Sequence, residues 1–358
     1  MDRKRVLLYA LALAVFAVLV YMQFRTWRNF DWATFWSQGA KLYRPPHIFH
    51  ILHAIALIYL AYVMRALRWK IFLRPVRPKA STWKLISPTV VGFTGLALLG
   101  RPGELIRPYL IARREKLTFS SQLAVWAVER IFDIGAFTIL LVLAAFFATA
   151  PKRLAYHRSF QEAGLIFLAL SAGLTIGAIA VSRSGEALAN WVERRFAHLA
   201  ANLAQRIALR IREFRGGLDT IHDSWSFVML TVVSVAMWAM IAVAYKEVTH
   251  SYHAADLEIP QSQVLLLMGS SMVGSVIQLP GVGGGSQLAT IAALEHIFDV
   301  PKELAASCGI MLWLVTFVAV IPMGLLLAHR ERLSLRKLSK ESHEKETSAE
   351  VSASPPVV

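Results

Sequence analysis

The 358 residues are 56% hydrophobic with a formal charge of +15, and their mean hydropathy is +0.50. Soluble domains average about 45–50% apolar residues even counting glycine, so an ordinary soluble protein is excluded and an all-α, polytopic helical membrane protein is expected. The basic residues cluster beside apolar spans, which fits anionic lipid headgroups at a cytoplasmic face and argues against nucleic acid, while the single cysteine, Cys308, leaves no intrachain disulfide and no cysteine metal site.

In chain order, Met1 to Arg5 is a short basic start. Val6 to Phe24 is uncharged and long enough for about 28 Å of helix. It is too long for a signal-peptide core and lacks a small-x-small site after it, so it reads as a retained first span. Arg25 to Pro46 is a loop whose aromatic stretch suits an interfacial helix. His47 to Met64 is the second span. Its His47, His50 and His53 share one helix face without a nearby carboxylate, so they read as interfacial or packing residues before metal ligands. Arg65 to Lys84 has seven basic residues and no acid, the pattern of a cytoplasmic loop.

Ile86 to Gly100 is apolar but short, and Pro88, Gly92, Gly95 and Gly100 interrupt it. The following loop, Arg101 to Lys116, is again basic. A full crossing would put that loop outside, against the charge rule. A re-entrant segment resolves the conflict, because broken backbone at membrane depth is tolerated where protein or a water-filled cavity surrounds it. Gln122 to Ala148 then goes out, Pro151 to Arg158 is a short loop, and Leu165 to Val181 returns. Arg183 to Arg215 holds seven arginines against three glutamates. It reads as a solvated charged linker, with an amphipathic cytoplasmic helix pair as the alternative. Phe227 to Tyr245 goes out to a more acidic external loop, Lys246 to Pro260.

Val264 to Leu279 is short and broken by Gly269 and Gly274, and it ends in the run Leu279 to Gln287. With Leu288 to Phe298 it reads as a second re-entrant hairpin, entering from outside. Ala305 to Ala328 is the last span. The expected sum is six full spans and two hairpins, with both termini cytoplasmic and eight conventional spans as the rival count. Residues 1–330 form the transmembrane domain, 183–223 its basic cytoplasmic connection, and 331–358 a basic, then disordered, tail.

The two interrupted segments end at Pro102-Gly103 and Pro280-Gly281 and enter from opposite faces. Paired Gly/Pro-broken segments in inverted halves point to a transporter's substrate site. Arg101, Arg107 and Arg130 offer planar forks for phosphate oxygens. Gly281, Gly283, Gly284 and Gly285 allow close backbone approach. Glu104, Glu129 and Asp133 can hold the arginines by ion pairs. Each ionised group at a helix centre costs about 2.5–3.5 kcal/mol on insertion scales, so mutual pairing is expected. No nucleotide P-loop, HExxH zinc motif or nucleophile elbow occurs, so neither an enzyme nor a cofactor is expected. A membrane-embedded enzyme using Glu104, Glu129 or Asp133 as acid or base is the rival from another class, and a scaffold of a lipid-synthesis complex a third.

At Arg101, Gly103, Glu104 and Arg107, at Glu129, Arg130 and Asp133, and at Leu279 to Gly285, the chain resembles the lysylphosphatidylglycerol synthase transmembrane-region family of flippase-like proteins. The resemblance spans roughly Val6 to Ala328. It implies a multi-pass helical domain with re-entrant helices in a bacterial cytoplasmic membrane. It further implies translocation of an anionic phospholipid or a polyprenyl- or hopanoid-type lipid, beside lipid- or glycan-synthesis enzymes. Substrate contacts are implied at those residues and at Pro280, Gly281, Gly283, Gly284 and Gln287. Gln287 stands where the family has a Glu, and the glycine spacing is shifted, so a carboxylate for a cationic headgroup is not expected. No aminoacyl-transfer domain follows Ala328, so lipid aminoacylation is not expected either.

Overall fold

The computed structural model describes residues 30–147, 155–218, 224–276, 278–279 and 283–330. The expected first span, the polar tail and Pro280-Gly281 lie outside the described residues. Among those described, four helices are long and apolar enough to cross a membrane: His47–Leu73, Thr82–Leu99, Ser224–His250 and the compound Lys302–His329.

Helix α1, Trp32–Lys41, starts at Asp31, whose carboxylate accepts from the backbone N–H groups of Ala33 and Thr34 at 2.9 and 3.0 Å. Phe30 and Phe35 anchor it on Ala306, while Trp32 and Trp36 stay exposed. Helix α2 spans His47–Leu73, so its end corrects the loop expected from Arg65. Buried Ile51, Ala54, Ile58, Ala61, Arg65, Arg68 and Phe72 alternate in steps of three and four. That is the a/d stripe of a helix packed along its length. Helix α7, Ser224–His250, answers with Leu230, Ser234, Met237, Ile241, Ala244 and Val248 in the same rhythm. The two form the central pair of the bundle.

Helix α3, Thr82–Leu99, runs antiparallel to a short 3₁₀ turn, Arg101–Leu105, and helix α4, Ile106–Glu115. The expected basic loop is therefore the return limb of a hairpin. Its outer ends meet. Pro88 has no N–H to give the Lys84 carbonyl one turn back, and Arg114 Nη1 donates to that carbonyl instead, at 2.7 Å. Arg77, just past α2, donates to the Glu115 carbonyl at 2.8 Å. The segment thus enters and leaves at one end of α2. Helix α5, Phe119–Phe147, and helix α6, Ala155–Leu218, follow. Residues 155–158, expected in a loop, are already helical.

The charged connection inside α6 is a helical hairpin, not a solvated linker. Arg212 Nε reaches Glu186 at 3.0 Å and Arg212 Nη1 reaches Glu193 at 2.8 Å. Glu186 and Arg212 are 26 residues apart, about 39 Å along a straight helix, so the chain doubles back between Glu193 and Arg212. Ala189, Val192, Ala204 and Ala208 are buried in the pair. The arginine fork holds the Glu193 carboxyl below its ordinary range through the side-chain hydrogen bond.

Helices α8, Gln261–Gly274, and α9, Gly285–His296, form the second hairpin. Two-residue strands β1, Gln278–Leu279, and β2, Gly283–Gly284, pair antiparallel at its turn. At 14 and 12 residues, neither limb reaches the roughly 30 Å of a hydrocarbon core. This hairpin opens beside the loop after α7, where the Ser251 carbonyl accepts from His47 Nδ1 at the start of α2, 2.6 Å away. The two hairpins therefore enter from opposite ends of α2. Helix α10, Lys302–Trp313, a π-helical turn, Leu314–Val318, and helix α11, Ile321–Arg330, complete the bundle.

Each hairpin has a glycine packed against the backbone of its opposite limb. A Cβ on Gly103 would strike the Gly95 carbonyl, and one on Gly274 would strike the Gly285 carbonyl. Both obstacles are backbone, so neither can rotate away. Gly103→Leu and Gly274→Leu are each expected to destabilise the protein by about 1–3 kcal/mol or more. Thermal unfolding in detergent measures this, with Gly39→Leu, which has open space around it, as the control.

Candidate functional site

The two hairpin tips meet. Arg101, at the tip of the first, donates from Nη1 to Glu104 and from Nη2 to the Ser275 carbonyl of the second. A guanidinium thus links the tip of the first hairpin to Ser275, at the end of the second hairpin's first limb. Beside them lies a cavity of about 500 Å³, within the range of small-molecule and lipid-headgroup sites.

Its polar wall is a buried ion cluster. Arg68, on the heptad stripe of α2, is fully buried. It bridges two carboxylates of α5, with Nη1 on Asp133 Oδ1 at 2.6 Å and Nη2 on Glu129 Oε1 at 2.5 Å. Its Nη1 also donates to Ser234 Oγ of α7 at 3.0 Å. Arg107 of α4 faces Glu129 as a two-pronged fork, one prong at 3.0 Å and the other closer. Trp238 Nε1 donates to Asp133 Oδ1 at 3.1 Å. Arg130 Nη2 lies 3.1 Å from Asp133 Oδ2, and Arg65 Nη1 lies 3.7 Å from the same atom. Glu129 and Asp133 stand one helical turn apart, so a single face of α5 presents both.

Aromatic rings complete the arginine environments. Arg65 lies over Phe93 with 4.8 Å to the ring centroid, and Arg107 lies over Trp69 at 4.5 Å. Such contacts are worth about 2 kcal/mol when desolvated. Gly92 is what lets α4 come this close, since a Cβ there would collide with Arg107. Four arginines thus share two carboxylates, which leaves two positive charges beside the cavity. Arg65, Arg101, Glu104, Arg130 and Asp133 line it, and the rest of the wall is largely apolar, with Tyr62, Phe93, Ile134 and Trp238. On one border Ile166 of α6 and Val273 and Val276 of the second hairpin are exposed. The π-helical turn also contributes to the wall, at Thr316 and Phe317. There Tyr59 donates to the Ala319 carbonyl at 2.7 Å.

The sequence-expected residues divide into groups. Arg101, Glu104, Arg130 and Asp133 line the cavity, whereas Glu129 and Arg107 form the layer behind it. Gly103 is buried against the opposite limb of its hairpin. Gly283 and Gly284 form β2, with Gly284 at φ 126°, and Gln287 lies on the first turn of α9. None of these three is among the described cavity residues; the second hairpin contributes Met268, Ser271, Met272, Val273, Ser275 and Val276 there. Arg65 and Arg68 went unrecognised because they follow an apolar run and look like the positive flank of a span. Their heptad places after Ala61 are the signal that identifies them as core residues.

The three histidines clip the other ends of α2 and α7 together. His50 Nδ1 sits 2.6 Å from Glu247 Oε2 and His53 Nδ1 3.4 Å from Oε1. The carboxylate not found near them in the sequence comes from α7. Among the described residues no group of three His, Cys, Asp or Glu side chains is arranged to hold a metal ion.

The cluster's pairing makes a quantitative expectation. Glu129→Gln removes the negative charge shared by Arg68 and Arg107, replaces one acceptor oxygen by an NH2 donor and raises the local charge to three. Breaking a buried pair from one side costs about 3–5 kcal/mol, so a loss of that size is expected in thermal unfolding. Arg101→Gln, at an exposed pair, should cost under about 1 kcal/mol in the same assay.

The chain matches the family described as lysylphosphatidylglycerol synthase TM region over residues 9–324. No curated protein matches it, and no solved structure matches it. With buried arginine–carboxylate pairing between broken helices and a match over most of its length, the chain belongs to the lysylphosphatidylglycerol synthase transmembrane-region family, a multi-pass membrane protein involved in lipid handling.

Proposed function

We propose that the protein is a transporter of the flippase kind. It moves a lipid with an anionic headgroup, an anionic phospholipid or a polyprenyl- or hopanoid-linked anion, between the leaflets of a bacterial cytoplasmic membrane. The observation that carries this reading is the cavity's division of labour: two uncompensated arginine charges on one side, apolar wall elsewhere, and exposed apolar residues at the border. An amphiphile fits that division, with its headgroup on the guanidinium forks and its tails outside in the bilayer. Arginine suits phosphate because its planar donors match two oxygens at once.

The hairpins supply a route for movement. They enter from opposite ends and touch through Arg101 and Ser275. A phosphate arriving beside Arg101 competes with Glu104 and the Ser275 carbonyl for the same N–H groups. Exchange of these partners releases one tip from the other, and rocking of one inverted unit against the other then exposes the cavity to alternate sides. No chemistry on the lipid is required. Glu129 and Asp133 are engaged by arginines rather than poised as bases. On this reading that end of the bundle, and both termini, face the cytoplasm, which the basic residues at the α4 end and the basic hairpin of α6 support by the positive-inside rule. There they meet anionic headgroups and, on this reading, the lipid- or glycan-synthesis enzymes that supply the cargo.

Reconstitution tests the reading. Liposomes containing the purified protein should move a fluorescent anionic lipid between leaflets, and the lipid should be recovered chemically unchanged. Arg101→Ala and Arg130→Ala should each slow this by about tenfold or more, equal to about 1.4 kcal/mol. Normal rates in both variants would overturn the site, and a modified lipid would replace transport with catalysis.

A further inference from the structure

The transport reading leaves the headgroup's charge open, and the cavity's own charge balance speaks to it. Around Glu129 and Asp133 stand Arg65, Arg68, Arg107 and Arg130. Arg68 and Arg107 are committed to the carboxylates by close hydrogen bonds. The remaining two face the cavity. Arg65 Nη1 and Arg130 Nε are buried polar atoms with no hydrogen-bond partner. Arg65 is only 7% exposed, and its nearest carboxylate oxygen lies beyond hydrogen-bonding range at 3.7 Å. Arg101 and Glu104 at the hairpin tip cancel one another. The site therefore holds two positive charges and two unused donors, in surroundings where an uncompensated charge is costly.

We infer that the headgroup taken by this cavity is a phosphomonoester-type dianion, a terminal phosphate seated between Arg65 and Arg130, in preference to a phosphodiester. This rests on the lipid-transport reading and narrows it. A phosphodiester carries one negative charge and leaves one arginine unbalanced. An aminoacylated or zwitterionic headgroup adds a cation beside two guanidinium groups and is repelled. A terminal phosphate has a second pKa near about 6, so above neutral pH it is close to doubly charged, with three acceptor oxygens to share between two forks.

The test is binding of two lipids with identical dioleoyl chains to the full-length protein in nanodiscs at pH 8. Phosphatidic acid presents the monoester and phosphatidylglycerol the diester. Tails brominated near the headgroup report occupancy by quenching tryptophan, since Trp238 lines the cavity. Phosphatidic acid is expected to bind at least about tenfold more tightly. Arg65→Gln, and separately Arg130→Gln, should reduce that preference to under about threefold, because losing one guanidinium weakens the dianionic headgroup more than the monoanionic one. Arg65 makes no close ion pair, and loss of its uncompensated charge opposes loss of its contact with Phe93, so the change in melting temperature should be small; Arg130→Gln is the check if it is not.

Equal affinity for the two lipids would overturn the dianion inference and leave lipid transport standing. Absence of binding by either lipid would overturn both. Inorganic phosphate is the remaining arm. If it displaces phosphatidic acid at concentrations near the lipid's own, tails contribute nothing: the dianion stands and the lipid reading falls. If displacement needs concentrations about a hundredfold higher, the lipid source is supported.

Discussion

Everything in this bundle depends on one guanidinium. Arg68 is wholly buried and joins Glu129 to Asp133. Removed from water without those partners, each of the three ions would be prohibitively costly. With them, α2 is fixed to α5 in one register, and Ser234 ties α7 to the same point. Arg107 then brings α4, and with it the whole first hairpin, against the same carboxylate. Four elements thus converge where apolar packing alone would allow sliding. In a bilayer, which offers no hydrophobic drive between helices, such polar contacts and close packing set the arrangement.

The positions of the hairpins follow from this anchor. The first is held by Arg107 at its return limb and by Arg114 and Arg77 at its open end. Its tip then projects to a fixed depth, where Arg101 finds the second hairpin. The second is secured by hydroxyls, with Tyr245 donating to Ser271 at 3.1 Å and Ser271 facing Ser286 at 2.9 Å. One hairpin is fastened by charge and the other by weaker neutral contacts. That difference makes the second the softer of the two.

Much of this was readable in the sequence, for physical reasons. The conflict between a short Gly/Pro-broken apolar segment and the positive-inside rule revealed the first hairpin. The i, i+4 spacing of Glu129 and Asp133 revealed their common face. The partners of those carboxylates were only half legible. Arg107 and Arg130 stood out beside proline or within apolar sequence, but Arg65 and Arg68 were hidden by the habit of reading basic residues after a span as its flank. Ser275, an unremarked residue before the glycine turn, makes the contact with Arg101. Tertiary contact chose it, and no local pattern announces it. The helical hairpin within α6 is legible only as the alternative to a solvated linker, because its charges look solvated until Glu186 and Arg212 are seen to face each other.

The heptad placement of Arg68 has a further consequence, in the order of assembly. A chain made from its N-terminus completes the ion cluster at Asp133, while Ser234 and Trp238, which finish its hydrogen bonding, lie on a helix made much later. The first half is born with its charges paired but its wall missing. The second half arrives as the lid of a polar core already built, and its helices have a destination before they are synthesised.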